Sequence, residues 1–224
     1  PLDIHGTTGY DALREFDGVF VNANAAGALG ELAREYSGST WDADAVAAAE
    51  WELKARIANE ELAPEVRRLA RSVRRDNQAT SPATSDVTDA ELTEVLVALV
   101  ARMPVYRADY RCLSRVTPTL IAQLAELGHN PAALDLTAAA LATSGEAAHR
   151  FAQVCGAVMA KGVEDTLFYR ACRLVALQEV GGAPGRTGVS QAEFHLLQAE
   201  RAALWPRTMT ALTTHDTKRS EDTR

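Results

Sequence analysis

Residues 88–104 have the sequence TDAELTEVLVALVARMP, and this stretch indicates the fold class of the chain. Thr88 and Glu91 have the spacing of a capping box, in which each side chain accepts a hydrogen bond from the other residue's backbone N–H. Apolar residues then recur at helical spacing as far as Pro104, which cannot continue a helix. The stretch therefore predicts an amphipathic helix.

Comparable start and stop signals along the chain predict further helices. One occupies residues 117–128, from Thr-Pro to Gly, and another occupies residues 130–142, from Asn-Pro through an Ala-rich run. Residues 190–193 form a second capping box, SQAE. Residues 42–75 favour a helix that breaks or restarts at Pro64, and this run ends in several arginines. We interpret those arginines as the polar face of a helix rather than as a binding patch.

Composition excludes several classes of function. The 224 residues are 47% hydrophobic and 24% charged, with a net charge of -7, so nucleic acid and anionic membranes are not expected partners. No apolar run approaches the roughly 20 residues that span a bilayer, and no leader suggests secretion. Cys112, Cys155 and Cys172 fit no zinc or redox spacing, which predicts reduced thiols in a cytoplasmic protein. The start at Pro1, without methionine, suggests a piece of a longer product.

Two short segments and one loop interrupt the helical pattern. Residues 6–10 and 208–214 have strand-like composition, whereas residues 77–86 predict a polar loop. Two lone strands cannot form a stable sheet. Their sheet neighbours must therefore lie outside this chain, or the segments are loops. A helical insertion between two strands of a sheet is the simplest arrangement.

Residues 214–222, THDTKRSED, form the first cluster of candidate functional residues. An aspartate directly after a strand-like run has the position of a catalytic group in a β/α barrel, at the C-terminal end of a strand. Lys218 and Arg219 would keep the Asp216 carboxylate ionised and bind sugar hydroxyls. Taken alone, the His215-Asp216 pair is weak evidence for a site, and these residues by themselves favour an exposed polar tail.

Residues 159–170, MAKGVEDTLFYR, begin the second cluster. Carboxylates, rings and arginines together suit sugar recognition, because rings cover the apolar face of a pyranose while charged groups bind its hydroxyls. The candidate sugar-binding residues are Glu164, Asp165, Phe168, Tyr169, Arg173 and Glu179. The pattern is also compatible with an ordinary capped helix that has Asp165 near its positive N-terminus and Phe168 in the core.

Five motifs, in this order, resemble maltooligosyltrehalose synthases. They are GTTGYD at 6–11, MAKGVEDTLFYR at 159–170, EVGG at 179–182, WPRTM at 205–209 and THDTKRSED at 214–222. The resemblance extends over nearly the whole chain. It implies an α-amylase-type (β/α)₈ TIM barrel with a large helical insertion late in the barrel.

The resemblance also implies a reaction. The family converts the reducing-end α-1,4 linkage of a maltooligosaccharide into an α,α-1,1 linkage, an intramolecular transglucosylation that leads to trehalose. The mechanism is a retaining one with three carboxylates. Two of them precede Gly6 in the family, and Asp216 matches the third, which stabilises the transition state. His215, Lys218 and Arg219 would bind substrate beside it, and no cofactor or metal is expected.

The predicted fold class is mainly α, a large helical insertion domain flanked by short pieces of a TIM barrel. We assign residues 1–22 to a barrel segment, 23–204 to the helical insertion, and 205–224 to a barrel strand with the catalytic loop. The partners expected are a maltooligosaccharide and the missing barrel portion of the same enzyme, without which the fragment would be inactive.

Four positions depart from the family pattern. Ala171 and Cys172 stand where the family has tyrosine and asparagine, and Gln178 and Ala183 replace asparagine and aspartate. An aromatic ring and an amide that would touch sugar are therefore missing, and the subsites of this chain are expected to differ.

Two other functions remain open on the sequence. One is a stand-alone helical module that binds α-glucan or a protein. The other is an α-amylase-clan hydrolase, which would release glucose instead of rearranging the linkage. Coding sequence upstream of Pro1 would separate the first alternative from an enzyme fragment, and the products formed from maltopentaose would identify a hydrolase.

Overall fold

The computed structural model describes residues 4–78, 86–171 and 173–224. Within these ranges the chain is mainly helical and no strand is formed, which confirms the mainly α part of the predicted class. The flanking pieces of a TIM barrel stay a prediction. Most of the loop predicted at 77–86, as well as Cys172, lies outside the described residues. The helices are α1 (Tyr10–Val19), α2 (Ala26–Ser37), α3 (Ala43–Asn59), α4 (Ala63–Gln78), α5 (Asp89–Arg102), α6 (Val116–Glu126), α7 (Pro131–Leu141), α8 (Glu146–Met159), α9 (Phe168–Arg170) and α10 (Gln191–Leu204).

The chain forms two compact units. A helical unit comprises Trp51–Val163, and a discontinuous unit comprises Pro1–Glu50 together with Glu164–Arg224. The domain limits predicted at 22/23 and 204/205 are the points where barrel segments would meet the helical insertion. The division into two compact units does not test for a barrel, so these limits stay predictions.

Helix α5 lies at the centre of the helical unit and contacts α4, α6, α7 and α8. Its first turn has the predicted capping box: the Thr88 hydroxyl accepts from the Glu91 N–H at 3.2 Å, and the Glu91 carboxylate accepts from the Thr88 N–H at 2.8 Å. Leu92, Leu96 and Leu99 are fully buried. An α-helix that is apolar around most of its circumference belongs in a core, which explains its central position.

The other predicted helix boundaries are formed, with one difference. Residues 60–62 separate α3 from α4, and Pro64 lies in the first turn of α4, where its missing N–H costs no helical hydrogen bond. Asn130 caps α7. The second capping box is only half formed, because Ser190 accepts from the Glu193 N–H while the Glu193 carboxylate binds Arg186.

The two strand-like segments lie side by side without forming a strand. The Arg207 N–H donates to the His5 carbonyl at 3.2 Å, and the Met209 N–H donates to the Thr7 carbonyl at 3.1 Å. Two backbone hydrogen bonds do not make a ladder, and a two-stranded pair needs further neighbours to be stable. The strand predicted at 208–214 is therefore absent from the described residues.

Helix α8 continues into a π-helical segment, Ala160–Leu167, which is followed by α9. Asp165 consequently lies within a continuing helix. The alternative that placed it near a helix N-terminus is wrong, because no helix begins just before it. Phe168 is 1% exposed, as that alternative expected. Among the described residues, no helix combines the length and apolar character needed to cross a bilayer.

Candidate functional site in the His-Asp loop

Asp216 lies on a tight turn that is closed by threonine side chains. The Thr217 hydroxyl donates to the Thr214 carbonyl at 2.8 Å, and the Asp216 N–H donates to the Thr214 hydroxyl at 3.2 Å. The Asp216 side chain is 54% exposed, and the neighbouring His215 side chain is 87% exposed with its Nε2 3.5 Å from Asp216 Oδ2. The loop thus presents an imidazole and a carboxylate at the surface of the discontinuous unit.

Tyr10, the first residue of α1, binds the Asp216 carboxylate. Its hydroxyl donates to Asp216 Oδ2 at 2.7 Å. The Thr214 hydroxyl donates to the phenol oxygen, which favours the ionised phenolate and lowers the pKa of Tyr10. The hydrogen bond to Asp216, burial and the nearby carboxylates together raise the pKa by more than this. The pKa of Tyr10 is therefore raised above 10.0. At neutral pH the phenol remains protonated and can donate to the carboxylate.

Two glycines determine where Tyr10 stands. Gly9 has φ 89°, and a Cβ there would collide with the Met209 carbonyl. Gly181 has φ 77°, and a Cβ there would collide with the Tyr10 carbonyl. Only glycine combines a left-handed conformation with such close approach, so two of the motifs noted in the sequence are needed to seat the start of α1.

Glu179 lies behind the loop and binds its backbone. The side chain is 3% exposed; Oε1 accepts from the Lys218 N–H at 2.7 Å, and Oε2 accepts from the Arg219 N–H at 3.0 Å. Oε1 also accepts from the Val180 N–H at 2.8 Å. Because both carboxylate oxygens bind donors of this chain, the geometry gives Glu179 a role in holding the loop; the predicted sugar contact remains a prediction.

The side chain of Lys218 turns towards the π-helical segment instead of towards Asp216. Its Nζ is 2.7 Å from Asp165 and 3.8 Å from Glu164. Burial lowers the pKa of Lys218, but the hydrogen bond that Lys218 donates to Asp165 and the charges of both carboxylates outweigh burial and raise it. Lys218 is thus a cation fixed by two acidic side chains.

Arg219 likewise binds the segment around α9. Its guanidinium lies 4.8 Å from the centre of the Tyr169 ring, and it donates to the carbonyls of Phe168 and Gln178 at 3.3 and 3.2 Å. Tyr169 is 56% exposed, and its hydroxyl donates to the Lys218 carbonyl at 3.2 Å. Within the described residues, neither cation forms an ion pair with Asp216, although the sequence led us to expect that they would.

The predicted residues thus divide into two places. The structure brings nine of them together around the loop: Glu164, Asp165, Phe168, Tyr169, Glu179, His215, Asp216, Lys218 and Arg219. Arg173 instead binds the Trp41 carbonyl and the Thr187 hydroxyl. Phe168 is 1% exposed, so its ring lies in the core and not at the surface beside the loop, and its predicted sugar contact stays a prediction.

Three residues that sequence reasoning did not assign to the site contact the loop or its supports. Tyr10 belongs to the GTTGYD motif. The occurrence of this motif together with THDTKRSED is the sequence signal that could have assigned Tyr10 to the site. Arg224 has a side chain that is 2% exposed and lies 3.4 Å from Glu179, and its Nε is 3.0 Å from Oδ2 of Asp17. No local pattern connects Asp17 with Arg224, because the two are more than 200 residues apart in sequence and only folding brings them together.

Comparison with known proteins gives relatives along the whole chain. Two curated proteins, from two strains of Mycobacterium tuberculosis and named as candidate maltooligosyl trehalose synthases, are each 43% identical over 224 residues, which is 100% of this chain and 28% of theirs. No protein-family model matches.

Solved structures agree. The maltooligosyltrehalose synthase of Arthrobacter ramosus superposes with a TM-score of 0.80 at 39% identity, covering 98% of this chain and 27% of that enzyme. A hypothetical maltooligosyl trehalose synthase of Sulfolobus tokodaii has a TM-score of 0.70 at 23% identity, covering 98% of this chain and 26% of that protein, which shows a shared fold alone. The chain spans only a little more than a quarter of the length of these relatives. The resemblance found in the sequence is confirmed: this chain is homologous, from end to end, to one part of the maltooligosyltrehalose synthases.

Proposed function

We propose that this chain is the part of a maltooligosyltrehalose synthase that contributes one catalytic carboxylate and part of the substrate pocket. The enzyme would be an intramolecular transferase (an isomerase) of the α-amylase superfamily that acts on maltooligosaccharides in the cytoplasm. The observation that supports this most directly is the loop itself: its backbone binds the buried Glu179, while the Asp216 carboxylate remains more than half exposed. An acid presented outward from a fixed backbone is suited to contact a substrate.

Asp216 would act as the carboxylate that stabilises the transition state. Retaining glycosyl transfer passes through an oxocarbenium-like state, and a fixed negative charge near the reacting glucose lowers its energy. The Tyr10 hydroxyl occupies one lone pair of Oδ2 and orients the carboxylate. The remaining lone pairs would accept sugar hydroxyls, with His215 beside them as a further ligand.

The exposed ring of Tyr169 would form an apolar surface for a neighbouring glucose. Its position is set by Arg219 against the ring and by its own bond to the Lys218 carbonyl. Asp165, paired with Lys218, supplies further acceptors at the rim. The rearrangement requires that water be excluded while the glucose turns over, and we assign this wall function to the π-helical segment with α9.

The nucleophile and the acid/base group would come from barrel strands in a longer protein, as the family's motif order implies. A TIM barrel would also supply the neighbours that the segments at 5–9 and 207–209 lack. The 224-residue chain by itself would then be catalytically inactive.

The test uses the longer protein that contains this sequence, incubated with maltopentaose. We expect reducing ends to disappear without a matching release of glucose, whereas glucose as the main product would identify a hydrolase. The Asp216→Asn variant should lose at least about a hundredfold in turnover and keep its fold by circular dichroism. Near-normal turnover of that variant would refute the catalytic role of Asp216.

A helical binding module is the second candidate, and one observation favours it. The helical unit has a groove of about 700 Å³ between α3, α4 and α5 in which Trp51 is 49% exposed and has the guanidinium of Arg102 5.3 Å from its ring. Titration of the chain with maltopentaose, followed by tryptophan fluorescence, tests this candidate. Saturable quenching that is lost in Trp51→Phe would support glucan binding at the groove, and an unchanged spectrum would reject it.

A further inference from the structure

We propose that Arg224 is a positioning residue for Asp216, acting from beneath the loop together with Asp17 and Glu179. This inference rests on the proposed catalytic role of Asp216 and adds three side chains that do not themselves reach substrate. It predicts that the location of the catalytic carboxylate depends on a buried cluster of two acids and one base.

Arg224 binds both ends of the loop. Its guanidinium donates to the carbonyl of Leu212, four residues before Asp216, and to the carbonyl of Arg219, three residues after Asp216, the latter at 2.8 Å. Asp216 lies between these two points. A single planar group that holds both ends fixes the span of the segment, because the five donors of a guanidinium have fixed relative directions.

The same guanidinium binds two carboxylates. Nη1 lies 3.4 Å from Glu179 Oε2, and Nε lies 3.0 Å from Asp17 Oδ2, although this N–H does not point at the oxygen well enough to form a hydrogen bond. The three side chains are 2%, 3% and 17% exposed for Arg224, Glu179 and Asp17 respectively. Removing the cation would leave the buried Glu179 carboxylate and the partly buried Asp17 carboxylate without the positive charge that they share.

Glu179 extends the cluster to the loop backbone. It accepts the N–H groups of Lys218 and Arg219, so the cluster binds the loop through two amides as well as two carbonyls. Three of these four contacts are partly buried, whereas the Asp216 carboxylate is more than half exposed and is bound by none of the three side chains of the cluster. They can therefore determine its position without touching a substrate.

Helix α1 connects this cluster to the reacting group. Asp17 and Tyr10 belong to the same helix, and Tyr10 binds Asp216 directly. If the cluster loosens, the loop shifts relative to α1, and the 2.7 Å bond between Tyr10 and Asp216 should lengthen or break. The Tyr10 phenol consequently reports on the position of Asp216.

The experiment compares Arg224→Lys, Glu179→Gln and a matched control, Arg34→Lys. Arg34 belongs to the same unit but forms an exposed pair with Glu31. In the longer protein we expect Arg224→Lys to lower kcat about a hundredfold while KM stays within about threefold, because a misplacement of about 1 Å in a catalytic group has an effect of this size. Glu179→Gln should behave similarly, since an amide NH₂ would oppose a backbone N–H, and Arg34→Lys should be unchanged.

A second readout uses the 224-residue chain with ¹³C-labelled tyrosine. In Arg224→Lys the pKa of Tyr10 should return towards 10.0 as its bond to Asp216 is lost. An unchanged Tyr10 titration together with kcat within threefold of the parent would overturn the proposal. If Asp216→Asn retains turnover, the proposed function fails, while a shifted Tyr10 titration would still support Arg224 as the residue that positions the loop.

Discussion

Replacing Arg201 with methionine should destabilise the discontinuous unit, because this arginine neutralises a buried acid between α1 and α10. The Arg201 side chain is 10% exposed and binds Glu15, whose side chain is 5% exposed. Gln198 also donates to Glu15, at 2.7 Å, and Asp11 lies 3.3 Å from Arg201. The variant removes the cation and leaves the buried Glu15 carboxylate with the Gln198 amide as its one donor within the described part of the chain.

The expected loss is about 3 kcal/mol in the free energy of unfolding. Removing one partner of a buried ion pair typically costs about 3–5 kcal/mol, and the remaining bond from Gln198 favours the lower end of that range. The contact with Asp11 adds little, since that side chain is 43% exposed. A double variant with leucine at Glu15 and methionine at Arg201 should recover most of the loss, because two apolar side chains pack without an unpaired charge.

Hydrogen exchange measured by mass spectrometry, over a series of urea concentrations, is the suitable assay because it reports on each unit separately. Peptides covering Tyr10–Val19 should lose protection in Arg201→Met, whereas those from α5 should not. As a control, Arg34→Met removes an exposed pair and should change stability by less than about 0.5 kcal/mol. A loss below about 1 kcal/mol, or one confined to the helical unit, would contradict the reasoning.

Three further predictions concern the rest of the chain. Leu96→Ala should cost about 2–5 kcal/mol of unfolding free energy by urea titration, because the side chain is fully buried, whereas Leu127→Ala, at a residue that is 61% exposed, should cost under about 0.5. Hydrogen bonds from Thr88 and Asn130 lower the pKa of Glu91 below 4.5, so the stabilising contribution of Glu91 is present above pH 4.5 and is lost as the pH falls through the lowered pKa. Glu91→Gln should therefore make the free energy of unfolding depend less on pH in this acid range, and an unchanged pH dependence would contradict this. Amides of residues 210–213 should exchange rapidly in the isolated chain, since within the described residues they donate to no backbone carbonyl, and strong protection would contradict this.

Local signals were sufficient to predict much of the helical unit. The Thr88 capping box, the break before Pro64 and the Asn130 cap depend on residues within four positions of each other, and all three are formed. The two capping boxes look alike in sequence, yet only the first is complete. The difference lies in Arg186, which binds Glu193 and is invisible to a local rule.

The site was harder to predict, because its contacts are long-range. The sequence placed Lys218 and Arg219 beside Asp216, but the backbone direction at a tight turn sends their side chains to Asp165 and Tyr169 instead. Such directions depend on dihedral angles that neighbouring residues in sequence do not specify. The buried role of Glu179 likewise emerges only when residues about 40 positions apart meet.

The π-helical geometry of Ala160–Leu167 has a consequence for how this chain tolerates insertions and deletions. A π turn contains about one residue more than an α turn, so deleting a single residue here can restore α geometry without breaking the helix. Because the wide turn takes up the extra residue, the residues of α9 would keep their faces after such a deletion, with Phe168 buried and Tyr169 exposed. A deletion inside a regular α-helix such as α5 would instead rotate every later side chain by about 100° around the helix axis. The π-helical segment is therefore a place where one residue can be lost without exchanging the buried ring for the exposed one.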